Sequence, residues 1–337
     1  MIAQATGWQR LRAMSLDTVP SGTRVYHVRA VPLNLWRDKG SFTVISCTKN
    51  QVSIEAAASE IGSALLADTE YLLDHAAEHQ ASLRDAVAVQ NWHSPAWMLV
   101  TLYYWGFFSA LALTRISGSS TWFLDKKALN QFKTLAGSAV QPGAGALYLV
   151  VDAYVSATVR RMSLRPSKSQ LHDASWTVAM RLITEIVEHC DGNVNLFEYR
   201  FWSALKRIGD LWGADWASKL RNAINYRPGY GYREVIKNKG IDSIRYLRQQ
   251  TPIAFHDLVD VLESETAAIR LGSDPRSDIA LASRLLGLFS ISLAMIVQTL
   301  HAEVLIRQSG DIRWEGLRNS FFSARCSTPS GGIWPFA

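Results

Sequence analysis

The stretch SPAWMLVTLYYWGFFSALALTRISG, residues 94–118, decides how the chain is read. Residues 86–114 hold no Asp, Glu, Lys or Arg, and Trp97–Thr114 is eighteen residues of mostly large apolar side chains. Pro95 stands where a helix tolerates proline best, at its first turn, and Gly118 marks its end. A helix apolar all round either crosses a membrane or fills the centre of a large helical bundle. Its length is close to the roughly 20 residues a span requires. Gln90, Asn91 and His93 lie just upstream, and the mean hydropathy of the whole chain is only +0.01. The expected reading is a buried central helix. A membrane-associated helical protein is the alternative, with Ile279–Leu300, interrupted by Arg284, as a second candidate span.

Working outward, helical spacing recurs on both sides. SIEAAASEIGSALLADTEYLLDHAAEHQASLRDAVA predicts a helix starting at Ser53. A short helix is expected over about 122–136, then helices in ALYLVVDAYVSATVRRM and SQLHDASWTVAMRLITEIVEHC, separated at Arg165-Pro166-Ser167 because a residue before proline avoids the α region. FEYRFWSALKRIGDLWG and DWASKLRNAINY form two helices meeting at Gly213, and Pro252–Arg270 and Asp278–Gln308 give the last two. Residues 1–50 are the least helical part: TRVYHVRAVPL and SFTVISC are β-branched and aromatic, with Pro20, Pro32 and Gly40 between them. The expected fold is therefore all-α, a bundle of about nine or ten helices with a short strand-containing appendage at the N-terminus. Residues 1–52 would be that appendage, 53–308 the helical domain and 309–337 an irregular C-terminal arm.

The 337 residues are 48% hydrophobic and 19% charged, which excludes wholesale disorder. Three cysteines, Cys47, Cys190 and Cys326, are too few and scattered for a disulfide framework or a Cys-rich zinc site. The first residues, MIAQATGWQRLRAMS, lack the apolar core of a secretory signal, so the expected compartment is the cytoplasm. The net charge of +6 is concentrated: residues 200–248 hold eleven Lys/Arg and four acids, a net +7, and the rest of the chain sums to −1. Tyr226, Tyr230, Tyr232 and Tyr246 are interleaved with those cations. Clustered positive charge with rings between suits the phosphates and bases of RNA or DNA; the plainer reading is a solvated helix face. The candidate nucleic-acid contacts are Arg207, Lys219, Arg227, Arg233, Lys237, Lys239, Arg245 and Arg248. A smaller basic cluster comprises Arg160, Arg161, Arg165 and Lys168.

The familiar catalytic signatures are missing: no phosphate-binding Gly-rich loop with Lys-Ser/Thr, no HExxH, no GxSxG. His75 and His79, at i and i+4, share a helix face as two metal ligands would, but no third ligand is evident and a solvated face is expected. Cys190 beside His189 reads as a structural thiol, because a nucleophile needs its base close in space, not in sequence. No metal and no cofactor is expected.

Two segments taken together, 94–118 and LRNAINYRPGYGY (220–232), resemble the HEPN superfamily, helical bundles that include ribonucleases and toxins of prokaryotic conflict systems. The early helix of that family carries paired tyrosines followed by Phe and small residues, matched by Tyr103-Tyr104-Trp105-Gly106-Phe107-Phe108-Ser109-Ala110. A later helix carries Arg, a polar residue and then His; Arg221-Asn222 matches the start, and Asn225-Tyr226 stands where catalytic members have His. The resemblance implies metal-independent RNA cleavage by attack of the ribose 2′-hydroxyl, with Arg221 as phosphate clamp and Asn222, Asn225 and Tyr226 orienting the substrate. It also implies a homodimer, or a subunit of a larger antiviral or toxin–antitoxin complex. Tyr is a poor proton-transfer group near neutral pH, so the acid–base half of the motif is lacking. His172, separated from Arg165 by six residues, has the family spacing, but Pro166 breaks the helix that motif requires. The rival for Arg221 and Asn222 is a polar clamp between helices. The rival for the whole protein is a non-catalytic interaction subunit, docking through Asp257, Asp260, Glu263, Glu265 and the C-terminal arm.

Overall fold

The computed structural model describes residues 7–20, 31–88, 94–152, 155, 156, 158–190, 196–226 and 255–309. In chain order these form α1 (Gly7–Thr18), α2 (Leu33–Lys39), β1 (Thr43–Cys47), β2 (Val52–Ala57), α3 (Ala58–Ala88), α4 (Pro95–Ile116), β3 (Ser119–Leu124), α5 (Lys126–Leu135), β4 (Gly145–Asp152), β5 (Val159–Pro166), α6 (Leu171–His189), α7 (Leu196–Trp212), α8 (Trp216–Tyr226), α9 (Phe255–Ala267) and α10 (Ile279–Ser309).

The ten helices among the described residues agree in number with the sequence reading, but the fold is mixed, not all-α. The five strands make one antiparallel sheet in the order β1-β2-β5-β4-β3. Residues 146–162, expected as a helix, run instead as β4, a connection and the start of β5. GALYLVVD is a short, nearly continuous apolar run, and periodicity alone does not separate a buried strand from a buried helix. Ser53–Ala57, expected to open the first long helix, belong with Val52 to β2; its alternation puts Val52, Ile54 and Ala56 inward, and α3 starts only at Ala58. The N-terminal strands are no appendage: β2 pairs with β5 through Val52↔Leu164 and Ile54↔Met162 and so extends the central sheet. Gly7–Thr18 and Leu33–Lys39, in the stretch expected to be least helical, are helices. Of TRVYHVRAVPL, residues 23–30 lie outside the described residues, as does the arm beyond 309.

One face of the sheet (Ile54, Leu147, Leu149, Met162, Leu164) packs with Leu33 and Trp36 of α2, Ile61 and Leu65 of α3 and Phe132 of α5 in a small core. Asp125 starts α5 by accepting the Ala128 N–H at 2.8 Å. The larger core joins α4, α6, α7, α8, α9 and α10. The two cores meet at Arg115, whose Nε lies 3.3 Å from Asp68 Oδ2 and whose Nη2 donates to the Thr121 carbonyl at 3.2 Å. Buried Glu198 of α7 accepts the Trp8 N–H at the start of α1 and the Trp202 Nε1–H at 3.2 Å.

Residues 95–116 form the expected central helix, with Ser94 at its N-cap and Pro95 in its first turn. A Cβ on Gly106 would meet Ser290 Oγ at 2.3 Å, so glycine permits the close approach of α4 and α10. Both helices are long and apolar enough to cross a membrane, but their most apolar windows are 67% and 78% buried inside the protein, where they pack on each other.

Candidate functional site: an arginine among aromatic rings

The tyrosine pair of α4 and the arginine of α8 meet. Arg221 Nη2 donates to Tyr104 Oη at 2.6 Å, and Nη1 donates to Asn222 Oδ1 at 2.9 Å. The guanidinium carbon lies 5.9 Å from the Tyr103 ring centroid, 5.6 Å from Tyr104 and 5.5 Å from Tyr226, within cation–π range of all three. No carboxylate pairs with Arg221 among the described residues, and both Nη atoms carry a second N–H. Tyr226, at 69% exposed, opens the arrangement to solvent.

His172, on the first turn of α6, completes the cluster. Its ring stacks on Phe107 at 4.4 Å and 22°. Its Nδ1 is hydrogen-bonded to Tyr103 Oη at 2.8 Å, and Tyr103 Oη accepts from Trp176 Nε1 at 3.1 Å. Burial, then the positive charge of Arg221, hold the imidazole pKa below its ordinary value, against the opposing pull of Asp173. The ring is therefore neutral at neutral pH. Tyr103 is pushed up by burial and stays a neutral phenol. Asp173 accepts the Ser218 hydroxyl at 2.6 Å, tying α6 to α8 and fixing His172 relative to Arg221.

α3 supplies the outer wall. His79 stacks on Tyr104 at 5.4 Å and on Phe108 at 5.5 Å, and His75 stacks on Phe108 at 5.0 Å. Burial, then the neighbouring His75, lower the His79 pKa. The i, i+4 histidine pair thus lies against the rings of α4, and no group of three metal-ligating side chains occurs among the described residues.

The expected site residues divide accordingly. Arg221, Asn222 and Tyr226 come together; Asn225 is exposed one residue before Tyr226 on α8. Arg207 is exposed on α7. Lys219 pairs with Asp215 at 2.8 Å, Lys206 with Asp210 at 2.6 Å, and Arg200 with Asp260 and Glu263 at 2.8 and 2.5 Å. Three of the five cations described in residues 200–226 are therefore neutralised by the protein's own carboxylates, and the positive charge left over is at Arg207 and Arg221. Arg227, Arg233, Lys237, Lys239, Arg245 and Arg248 lie outside the described residues. The acidic row expected to dock a partner is engaged as well: Asp260 and Glu263 hold Arg200, Glu265 holds Arg284 at 2.9 Å, and Asp257 holds His256 at 3.0 Å. The residue the sequence reading weighed and set aside is His172. It carries the right chemistry, but its arginine partner is Arg221 on another helix, not Arg165.

Comparison with family models, curated proteins and solved structures finds no match to this chain.

Proposed function

We propose that the protein binds single-stranded nucleic acid at the junction of α4, α6 and α8, and that with RNA the site cleaves without a metal. The observation that carries this reading is a guanidinium lacking a carboxylate partner among the described residues, held between tyrosine rings beside a neutral imidazole. Arginine with free N–H groups in a fork suits phosphate oxygens. Exposed Tyr226 offers a face on which a base stacks. In the tautomer that donates Nδ1–H to Tyr103 Oη, His172 Nε2 supplies the proton-transfer group the α8 motif lacks: it takes the 2′-hydroxyl proton, O2′ bonds to phosphorus, and the P–O5′ bond breaks. The departing 5′-oxygen is protonated from water, and Arg221 stabilises the extra phosphoryl charge.

The resemblance of 94–118 and 220–232 to the HEPN superfamily supports the same reading. With it comes the further proposal that the protein acts in the cytoplasm as a homodimer, or as a subunit of an antiviral or toxin–antitoxin assembly. The test is incubation of purified protein with end-labelled single-stranded RNA in excess chelator. Products ending in 2′,3′-cyclic phosphate, lost in both Arg221→Ala and His172→Ala, are expected. Intact RNA with wild type, or equal cleavage by both variants, contradicts the catalytic reading.

A further inference from the structure

The sheet has a second face whose character differs from the first. Leu147, Leu149, Met162 and Leu164 point into the small core. Their neighbours along each strand point the other way, and residues paired across strands share a face. Tyr148 pairs with Arg165 and with Thr121, so these three share the second face; α6 covers it at Thr121, which is buried against Ser175, and leaves Phe123, two residues beyond, and Arg165 exposed. The guanidinium of Arg181, from α6, sits 5.3 Å from the Tyr148 ring centroid. Arg165 Nε donates to Gln51 Oε1 at 3.1 Å. The Ser167 N–H donates to the Ala146 carbonyl at 2.9 Å, carrying the strand edge on to Lys168.

Charge on this end of the face is one-sided. Glu55 is taken up by Arg161. Arg165, Lys168 and Arg181 are exposed, and none has a carboxylate partner among the described residues. Phe123 is 56% exposed next to them. Cations without partners beside exposed or half-exposed rings match a polyanion that also has flat faces to stack, and a lone anion or an acidic peptide would leave the rings unused.

We propose that Phe123, Tyr148, Arg165, Lys168 and Arg181 form a second binding surface for single-stranded nucleic acid, separate from the Arg221 site. Phosphates lie along Arg165, Lys168 and Arg181, and a base stacks on Phe123.

The test is equilibrium binding of labelled oligothymidylate, which has no 2′-hydroxyl to be cleaved, to the full chain with Arg221 intact and with Arg221→Ala. In both backgrounds Phe123→Ala is expected to weaken binding about tenfold, within the range measured for loss of one stacked base. R165E/K168E is expected to weaken it further and to flatten the salt dependence by about 0.7 for each phosphate that is no longer neutralised. Being exposed, these positions should leave the melting temperature unchanged; R165Q serves as a milder control. Unchanged affinity and salt slope in both backgrounds overturn the proposal. So does a loss of polyglutamate binding equal to the loss of oligothymidylate binding on Phe123→Ala. Failure of the Arg221 reading gives a different result: Arg221→Ala binds like wild type while the sheet variants are still weakened.

Discussion

At the scale of single residues, burial more than the Arg221 charge sets how the imidazoles around the site titrate. His172 is depressed first by burial and then by that guanidinium, and His79 by burial and by His75. A base depressed in the folded state binds protons more readily when unfolded. Its contribution to stability is complete above the unfolded imidazole value of about 6.5 and declines as pH falls through that value toward the folded one. Thermal denaturation from pH 8 to pH 5 should therefore show the melting temperature falling below about pH 6.5, with a shallower fall in His172→Gln. A melting temperature that rises on acidification through this window would show that these imidazoles gain protons on folding. Cleavage should follow the same group: with neutral His172 as base, the ascending limb of the pH–rate profile lies below about 6.5 and vanishes with His172→Gln.

At the scale of elements, the site depends on how closely α4 approaches its neighbours. Gly106 faces Ser290 of α10 where a Cβ would be 2.3 Å from Oγ. Gly106→Val should cost about 1–3 kcal/mol by overpacking, seen as a lower denaturant midpoint, whereas Gly106→Ala should cost less because the Ser290 side chain can rotate away. Equal stability of Gly106→Val and wild type would mean the two helices do not pack as described. α4 was legible from its sequence at both ends, since Ser94, Pro95 and Gly118 punctuate an uninterrupted apolar run. α6, α7 and α8 were legible for the same reason, with Gly213, at φ +90°, between the last two. The sheet was not. In β2 and β5 the alternation is present, Ser53 and Glu55 against Ile54, and Arg161, Ser163 and Arg165 against Met162 and Leu164. Each run is only six to eight residues long, flanked by longer segments of helical period, and β4 hides its alternation behind apolar residues on both faces. Arg221 was singled out through the resemblance that joins 94–118 to 220–232; His172 was weighed only against Arg165 and set aside, because pairing across helices leaves no trace in spacing.

At the scale of the whole molecule, the sheet divides two bodies of packing. On one side α2, α5 and the start of α3 (Ile61, Leu65) seal a small core; the rest of α3 (Leu66, Leu73, Ala76, Leu83) joins the long helices around α4 and α10. The candidate site lies on the helical body, where α3, α4, α6 and α8 converge, so its geometry is set by the α3–α4 pair together with two elements distant from it in sequence. Among the described residues of the basic segment, Arg200, Lys206 and Lys219 pair with carboxylates, which leaves Arg207 on the surface and Arg221 in its aromatic frame. The most direct measurement is the salt dependence of binding of single-stranded RNA to the His172→Ala protein, with and without Arg221→Ala, the first change keeping the RNA intact. A drop in affinity of about 10-fold or more on removing Arg221, with a salt slope shallower by about 0.7 for the one phosphate it would neutralise, is the predicted result. Identical affinity and identical slope would contradict it, leaving Arg221 as a clamp between α4 and α8 and nothing more.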